Sequence, residues 1–229
     1  MQATHALHHD IRRPASVMPP IGRETTDGAA ALDRVGTLVI IGREQPLFFT
    51  GDAADCYFKV VKGAVRSCKL LADGRRHIGD FFLAGDFIGL DADDTYAFTA
   101  EAVTETTLIR YARRKVDALA ALEPRVAKSL VDIMREGLSS ARDRMAMLGH
   151  MTASERIAFF LLNLADRSDD TRIELPMTRT DIGDYLGLTM ETVSRTFSQL
   201  KHDGVIKQRT VHEIAITDRA ALEGLAEAC

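Results

Sequence analysis

Apolar and polar positions follow three different rhythms along this chain. From Thr37 to Tyr111, short apolar runs such as Leu38 to Ile41, Tyr57 to Val61 and Leu108 to Ile109 are punctuated by Gly42, Gly51, Gly63, Gly74, Gly79, Gly85 and Gly89. That spacing predicts strands joined by tight turns, and Asp73-Gly74, between Val65 to Leu71 and His77 to Phe82, predicts a two-residue hairpin turn with positive φ angles. The segment reads as an all-β barrel or jelly roll. Beyond Arg113 the period lengthens. Glu123-Pro124 places a proline in the first turn of a helix, after which Val126, Leu130, Ile133, Leu138, Ala141, Met145 and Leu148 recur mostly at three- and four-residue steps, as in a coiled-coil seam. A helix lying on its own barrel would carry the same pattern. A partner helix is favoured, because no second helix of matching length adjoins it and charges fill the remaining positions (Arg135, Glu136, Arg142, Asp143, Arg144). A symmetric homodimer supplies that partner most simply.

The third rhythm is finer. Thr152 and Glu155 have capping-box spacing and open a helix with Ile157, Phe160, Leu161 and Leu164 on one stripe, ended by Ser168-Asp169-Asp170. Thr178 and Asp181 cap a short helix burying Ile182, Tyr185 and Leu186; Gly187 permits a left-handed turn, and Thr189 caps the next helix. That next helix turns Val193, Phe197 and Leu200 inward and Glu191, Ser194, Arg195 and Ser198 to another face. Helix, glycine turn and helix are followed by Gly204 to Ile206, a basic Lys207-Gln208-Arg209-Thr210 tip and an alternating Val211 to Ile216, which reads as a hairpin and makes the whole a winged helix-turn-helix.

Short polar groups with one arginine and one glutamate are what major-groove reading requires: arginine forks onto guanine, glutamate accepts from cytosine, and serine adapts. Glu191, Ser194 and Arg195 are therefore the expected base readers. Thr178, Arg179, Thr189, Thr192, Ser198, Lys207 and Arg209 are the expected phosphate contacts. A plainer explanation, a favourable i, i+4 pair of Glu191 with Arg195 near the helix N-terminus, fits the same two residues.

Before Gly36 the chain is polar, carries Pro14, Pro19 and Pro20 and shows no period, as expected of a loosely held arm. His5, His8 and His9 lack acidic or thiol partners there, so no metal site is expected. The expected division is an arm at 1–36, a β-roll sensor-like domain at 37–112, a dimerisation helix at 113–150 and the winged helix-turn-helix at 151–229.

Composition narrows the function by exclusion. The 229 residues carry 29 Lys plus Arg against 33 Asp plus Glu, a net charge of -4, which rules out an extended basic coat but not a small docking surface. Cys56, Cys68 and Cys229 form neither a disulfide framework nor a metal cage; Cys56 and Cys68 read as inert core and Cys229 as the exposed thiol. No apolar run is long enough to span a bilayer, and a cytoplasmic protein is expected. No nucleophile–base grouping, metal motif or phosphate loop stands out, so an enzyme is not expected, and Glu105 and His150 read as ordinary solvated positions.

Taken together, the chain resembles the Crp/Fnr family of bacterial transcription regulators over about residues 36 to 220. The resemblance rests on Phe49-Thr50-Gly51-Asp52, Lys62-Gly63-Ala64-Val65, Gly85-Asp86-Phe87-Ile88-Gly89 and above all Gly187-Leu188-Thr189-Met190-Glu191-Thr192-Val193-Ser194-Arg195. The Glu-x-x-Ser-Arg signature is similar to the Fnr and FixK branches. It implies an α+β fold made of a cyclic-nucleotide-binding-like β-roll (jelly roll), a long dimerisation helix and a winged helix. It also implies a homodimer that binds a TTGAT-N4-ATCAA-like palindrome in double-stranded DNA, recruits RNA polymerase and controls low-oxygen or respiratory genes. Arg75-Arg76-His77 would be either a solvated hairpin tip or a polymerase contact. Departures point away from a bound cofactor: the arm has no cysteine for an iron–sulfur cluster, Tyr96-Ala97 stands where nucleotide-binding members carry Arg-Ser, and Asp86 replaces a ribose-binding glutamate. The alternative is a sensor whose DNA binding depends on an effector or haem in the β-roll.

Overall fold

The computed structural model describes residues 27–90, 93–167 and 172–227. Alternating burial along the first half folds it into two four-stranded antiparallel sheets. One has the order β1 (Gly36–Ile41), β8 (Thr106–Ala112), β3 (Cys56–Lys62), β6 (Phe87–Ile88); the other runs β2 (Pro46–Phe48), β7 (Thr99–Ala102), β4 (Val65–Leu70), β5 (Arg76–Phe82). Phe58, Val60, Val65, Ile88, Tyr96, Ala100 and Leu108 fill the space between them, so the expected β-roll is present. Cys56 and Cys68 are buried as expected, whereas Cys229 lies outside the described residues, as do His5, His8, His9 and Ser168 to Asp170. The hairpin between β4 and β5 is looser than a two-residue turn. Its loop runs from Leu71 to Arg75, closed by Gly74 N–H donating to the Leu71 carbonyl at 3.0 Å, and the positive φ falls on Gly74 alone.

Pro124 divides the helical region. α2 (Arg113–Leu122) ends before it and α3 (Pro124–His150) begins on it, because a proline ring suits a first helical turn but not an interior one. Residues 27–36, expected in the arm, are structured. Asp27–Asp33 forms helix α1, which buries Ala31 and Leu32, and a Cβ at Gly28 would collide with Ser129 and the Arg125 carbonyl of α3. The Tyr111 hydroxyl donates to Asp33 at 2.6 Å and fastens the end of α1. A seven-residue helix is too short to display a period, which is why the pattern missed it.

The C-terminal part contains α4 (Ala153–Asp166), β9 (Arg172–Glu174), α5 (Arg179–Leu186), α6 (Met190–His202), β10 (Ile206–Gln208), β11 (Glu213–Ile216) and α7 (Arg219–Ala226). Strand β9 joins the wing hairpin as its third strand, in the order β10-β11-β9; neither β9 nor α7 was expected. One apolar cluster spans this part and the β-roll: Ile157, Ile182, Val193 and Ile214 share it with Ile78 and Phe81 of β5.

The apolar stripe that α3 leaves exposed is out of phase with the expected seam. Val126 is fully buried against Leu32, Tyr57 and Tyr111 of its own chain, and Leu130 packs beside the same cluster. These two belong to the intramolecular core, not to a free seam, and Ile133 is only half-exposed. Val131, Met134, Leu138 and Met145 are the large apolar side chains that α3 leaves exposed. With Ala127 and Ala141 they alternate steps of four and three, the coiled-coil repeat, whereas Leu148, the next position of that repeat, packs against the chain's own core.

Candidate nucleic-acid interface

The reading helix is positioned from α5 upward. Asp181 N–H donates to Thr178 Oγ1 at 3.1 Å, while Thr178 N–H donates to Asp181 Oδ2 at 3.0 Å, which closes a capping box. At the other end Gly187 takes φ 65°, the left-handed conformation that stops α5. A Cβ at Gly183 would come within 2.7 Å of the Leu188 carbonyl oxygen, so glycine there lets the turn fold tightly under α6. Thr189 then accepts from Thr192 N–H at 3.2 Å and starts α6. Val193, Phe197 and Leu200 are buried beneath it.

The opposite face of α6 is open. Glu191, Ser194 and Arg195 are all exposed, and among the described residues neither Glu191 nor Arg195 enters an ion pair, so both charged tips are left for a ligand. Ser198 is exposed on the same stripe, its hydroxyl donating to the Ser194 carbonyl at 2.9 Å. Lys207 and Arg209 are exposed on the wing. Arg179 is more constrained than an extended surface arginine: its guanidinium stacks on the Phe197 ring at 3.4 Å, and burial lowers its pKa to about 10, which leaves it cationic at neutral pH. It lines a hollow with Ser194, Ser198, Lys201, His202 and Gln208.

Three of the expected phosphate contacts, Thr178, Thr189 and Thr192, fit less well. The Thr178 hydroxyl is committed to Asp181 as both donor and acceptor, and Thr192 Oγ1 lies 3.1 Å from Thr189 Oγ1, so caps occupy these groups. Lys201 and His202, not among the expected contacts, line the same hollow and continue the Ser194–Ser198 stripe at the three- and four-residue steps that place side chains on one helix face.

Arg76 is neither a solvated tip nor free for a polymerase: it pairs with Asp181 and Asp184 of α5. Asp86 turns away from the β-roll interior. Its Oδ2 accepts from Arg167 at 2.6 Å and from Leu83 N–H at 2.7 Å, while Oδ1 is buried without a hydrogen-bond partner. Burial pushes this carboxyl up to about 6 against the pull of Arg167.

Inside the β-roll a cavity of about 250 Å³ is lined by Phe48, Asp80, Tyr96, Ala97, Phe98 and Arg144 among others. Tyr96 stacks on Phe48 at 3.5 Å and donates its hydroxyl to the Cys56 carbonyl at 2.6 Å. The cation that reaches this cavity, Arg144 of α3, is matched by Asp80 at 3.1 Å.

Comparison with known proteins follows the same division of the chain. Residues 39–122 match the family model of the cyclic nucleotide-binding domain, and residues 155–225 match that of the Crp-like helix-turn-helix domain. FixK, the nitrogen fixation regulation protein of Azorhizobium caulinodans, is 38% identical over 208 residues, covering 88% of this chain and 84% of FixK. The transcriptional activator protein FnrL of Cereibacter sphaeroides is 34% identical over 187 residues, 78% of this chain and 75% of its own. The solved structure of FixK2 from Bradyrhizobium japonicum superposes with a TM-score of 0.81 at 39% identity, covering 85% of this chain and 99% of that one.

Proposed function

Because this chain belongs to the Crp/Fnr family of transcription regulators, with a helix-turn-helix DNA-binding domain and FixK among its close relatives, we propose that it acts as a homodimeric activator reading a TTGAT-N4-ATCAA-like palindrome. The observation that carries this reading is the open face of α6, where Glu191, Ser194 and Arg195 stand exposed on a helix capped and packed from below. Arg195 takes the guanine of each half-site, Glu191 and Ser194 complete the base contacts, and Arg179, Lys201, Lys207 and Arg209 hold phosphates.

The apolar stripe on α3 supports the homodimer, since two such stripes facing each other bury Val131, Met134, Leu138 and Met145. Division into a β-roll, a dimerisation helix and a winged helix follows from this arrangement, with RNA polymerase as the second partner. The Glu-x-x-Ser-Arg resemblance to the Fnr and FixK branches supports a role in low-oxygen or respiratory gene control. With Arg144 already paired and no arginine at Tyr96-Ala97, the cavity offers an anionic nucleotide no uncommitted cation among the described residues, which favours DNA binding without an effector.

Selection of sites from random duplex DNA, with metal and nucleotide absent, tests this reading. Enrichment of the palindrome is the expected outcome, and recovery only when cyclic AMP or haem is added would replace it with the effector-gated alternative.

A further inference from the structure

The residues that join the β-roll to α5 do more than fill an interface. Asp181 is almost fully buried, and its two carboxylate oxygens have separate partners. Oδ2 caps α5 through Thr178 N–H and Oγ1, at 3.0 and 2.8 Å. Oδ1 accepts from Arg66 of β4 at 2.9 Å and from Arg76 of β5. Arg66 is itself held by Glu101 of β7 at 2.6 Å, and Arg76 donates from Nε to Asp184, one helical turn further along α5, at 2.9 Å. Phe81 of β5 meets Tyr185 at 5.2 Å between ring centres beside this cluster. Although burial opposes ionisation, the hydrogen bonds from Thr178 and the charges of Arg66 and Arg76 hold the Asp181 carboxyl below its ordinary range.

Buried ion pairs contribute little net stability compared with apolar replacements of the same volume, but their forked hydrogen bonds are directional. Two guanidinium groups gripping successive turns of α5 leave it neither rotation about its axis nor sliding along β5. Since α6 is packed on α5 through the tight Gly183–Leu188 turn, the orientation of α5 carries over to the reading face.

We infer that Arg66 and Arg76 are positioning residues for DNA recognition: through Asp181 and Asp184 they set the angle of the reading helix, and so the separation between the two reading helices of a dimer. The inference rests on the palindrome-reading homodimer proposed above. Half-site separation is then a property of the folded chain. One base pair added to or removed from the spacer turns a half-site by about one tenth of a helical turn and moves it by about 3.4 Å, and a rigid clamp cannot follow.

The test uses the full-length chain and duplexes carrying the site recovered by selection, with its spacer and with spacers one pair shorter and longer. Arg76→Gln is the principal variant, because Arg76 is partly exposed and Arg66 still satisfies Asp181; Arg66→Gln is the harsher second. For Arg76→Gln the ratio of affinity for the selected spacer over the altered ones should fall at least fivefold, with base preference inside each half-site unchanged. Arg76→Lys, which keeps the charge and loses the fork, should fall in between. A role confined to stability would lower the unfolding midpoint and weaken all three duplexes alike. A spacer ratio within twofold of the parent's in a folded Arg76→Gln protein overturns the inference while leaving the palindrome reading intact. Absence of any spacer preference in the parent protein overturns that reading, and the clamp with it.

Discussion

Arg195 and Asp86 show how differently two charged side chains of one chain are placed. Arg195 keeps its charge in solvent, on a helix whose ends are satisfied by Thr189 and by the backbone, so replacing it should leave the fold unchanged. Arg195→Ala is expected to cost about 1 to 3 kcal/mol per half-site and to relax preference at the guanine; binding titrations against every single-pair variant of the site will show whether the loss is confined there or spread evenly. Asp86 is taken out of water, and Arg167 offsets only part of that cost. Its folded pKa of about 6 lies above the ordinary 3.8, so the fold binds this proton more tightly than the unfolded chain does. The stability it contributes is therefore complete below about pH 4 and lost as the pH rises through 6, a change of about 3 kcal/mol. Urea unfolding of the parent and of Asp86→Asn between pH 4 and 7 should show the difference between them moving by about that amount, in favour of the variant at the upper end.

At the scale of elements, α3 has two apolar faces with different surroundings. One is anchored at its start by Val126, buried with Leu32 and Tyr111; the other carries Val131, Met134, Leu138 and Met145 into solvent. Leu138→Asp would set two carboxylates against each other in an apolar seam, and sedimentation should report monomers with correspondingly weaker DNA binding, since one half-site alone offers few contacts. Val126→Ala should behave in the opposite way. A loss of roughly 1 to 3 kcal/mol in unfolding stability is expected from the vacated core volume, with the association state unaltered. A stable Leu138→Asp dimer would place the interface on another surface.

The whole molecule is mildly acidic, with a net charge of -4, yet the surface proposed to face DNA carries Arg179, Arg195, Lys201, Lys207 and Arg209. Attraction to DNA is thus local, and its salt dependence should count only those few contacts. Lys207→Ala removes one phosphate contact per subunit, so for a dimer the slope of log affinity against log salt should become shallower by about 2; an unchanged slope would take the wing off the phosphate backbone. No helix among the described residues is long and apolar enough to cross a membrane. The β-roll and the winged helix meet through a shared apolar cluster and buried ion pairs, so the reading head is held by the β-roll as well as by its own hydrogen bonds.

What was legible in advance was local chemistry. The caps at Thr178 and Thr189, the Gly187 turn, the inward stripe Val193–Phe197–Leu200 and the polar stripe beside it follow from spacings of three and four residues, because neighbours on one helix face are set by helix geometry alone. The same holds for the glycine-punctuated strands and for the proline that opens α3. The phase of the exposed α3 stripe was not legible, since Val126, buried in its own chain, and Leu138, left in solvent, are both apolar and follow nearly the same period. Helices α1 and α7 and strand β9 were too short to show a pattern. Arg76 looked like part of a solvated hairpin because its partners lie more than a hundred residues away, and Asp86 gave no sign of Arg167. Pairings over such distances are decided by which surfaces the packed β-roll and winged helix bring together, and the tertiary structure alone determines that.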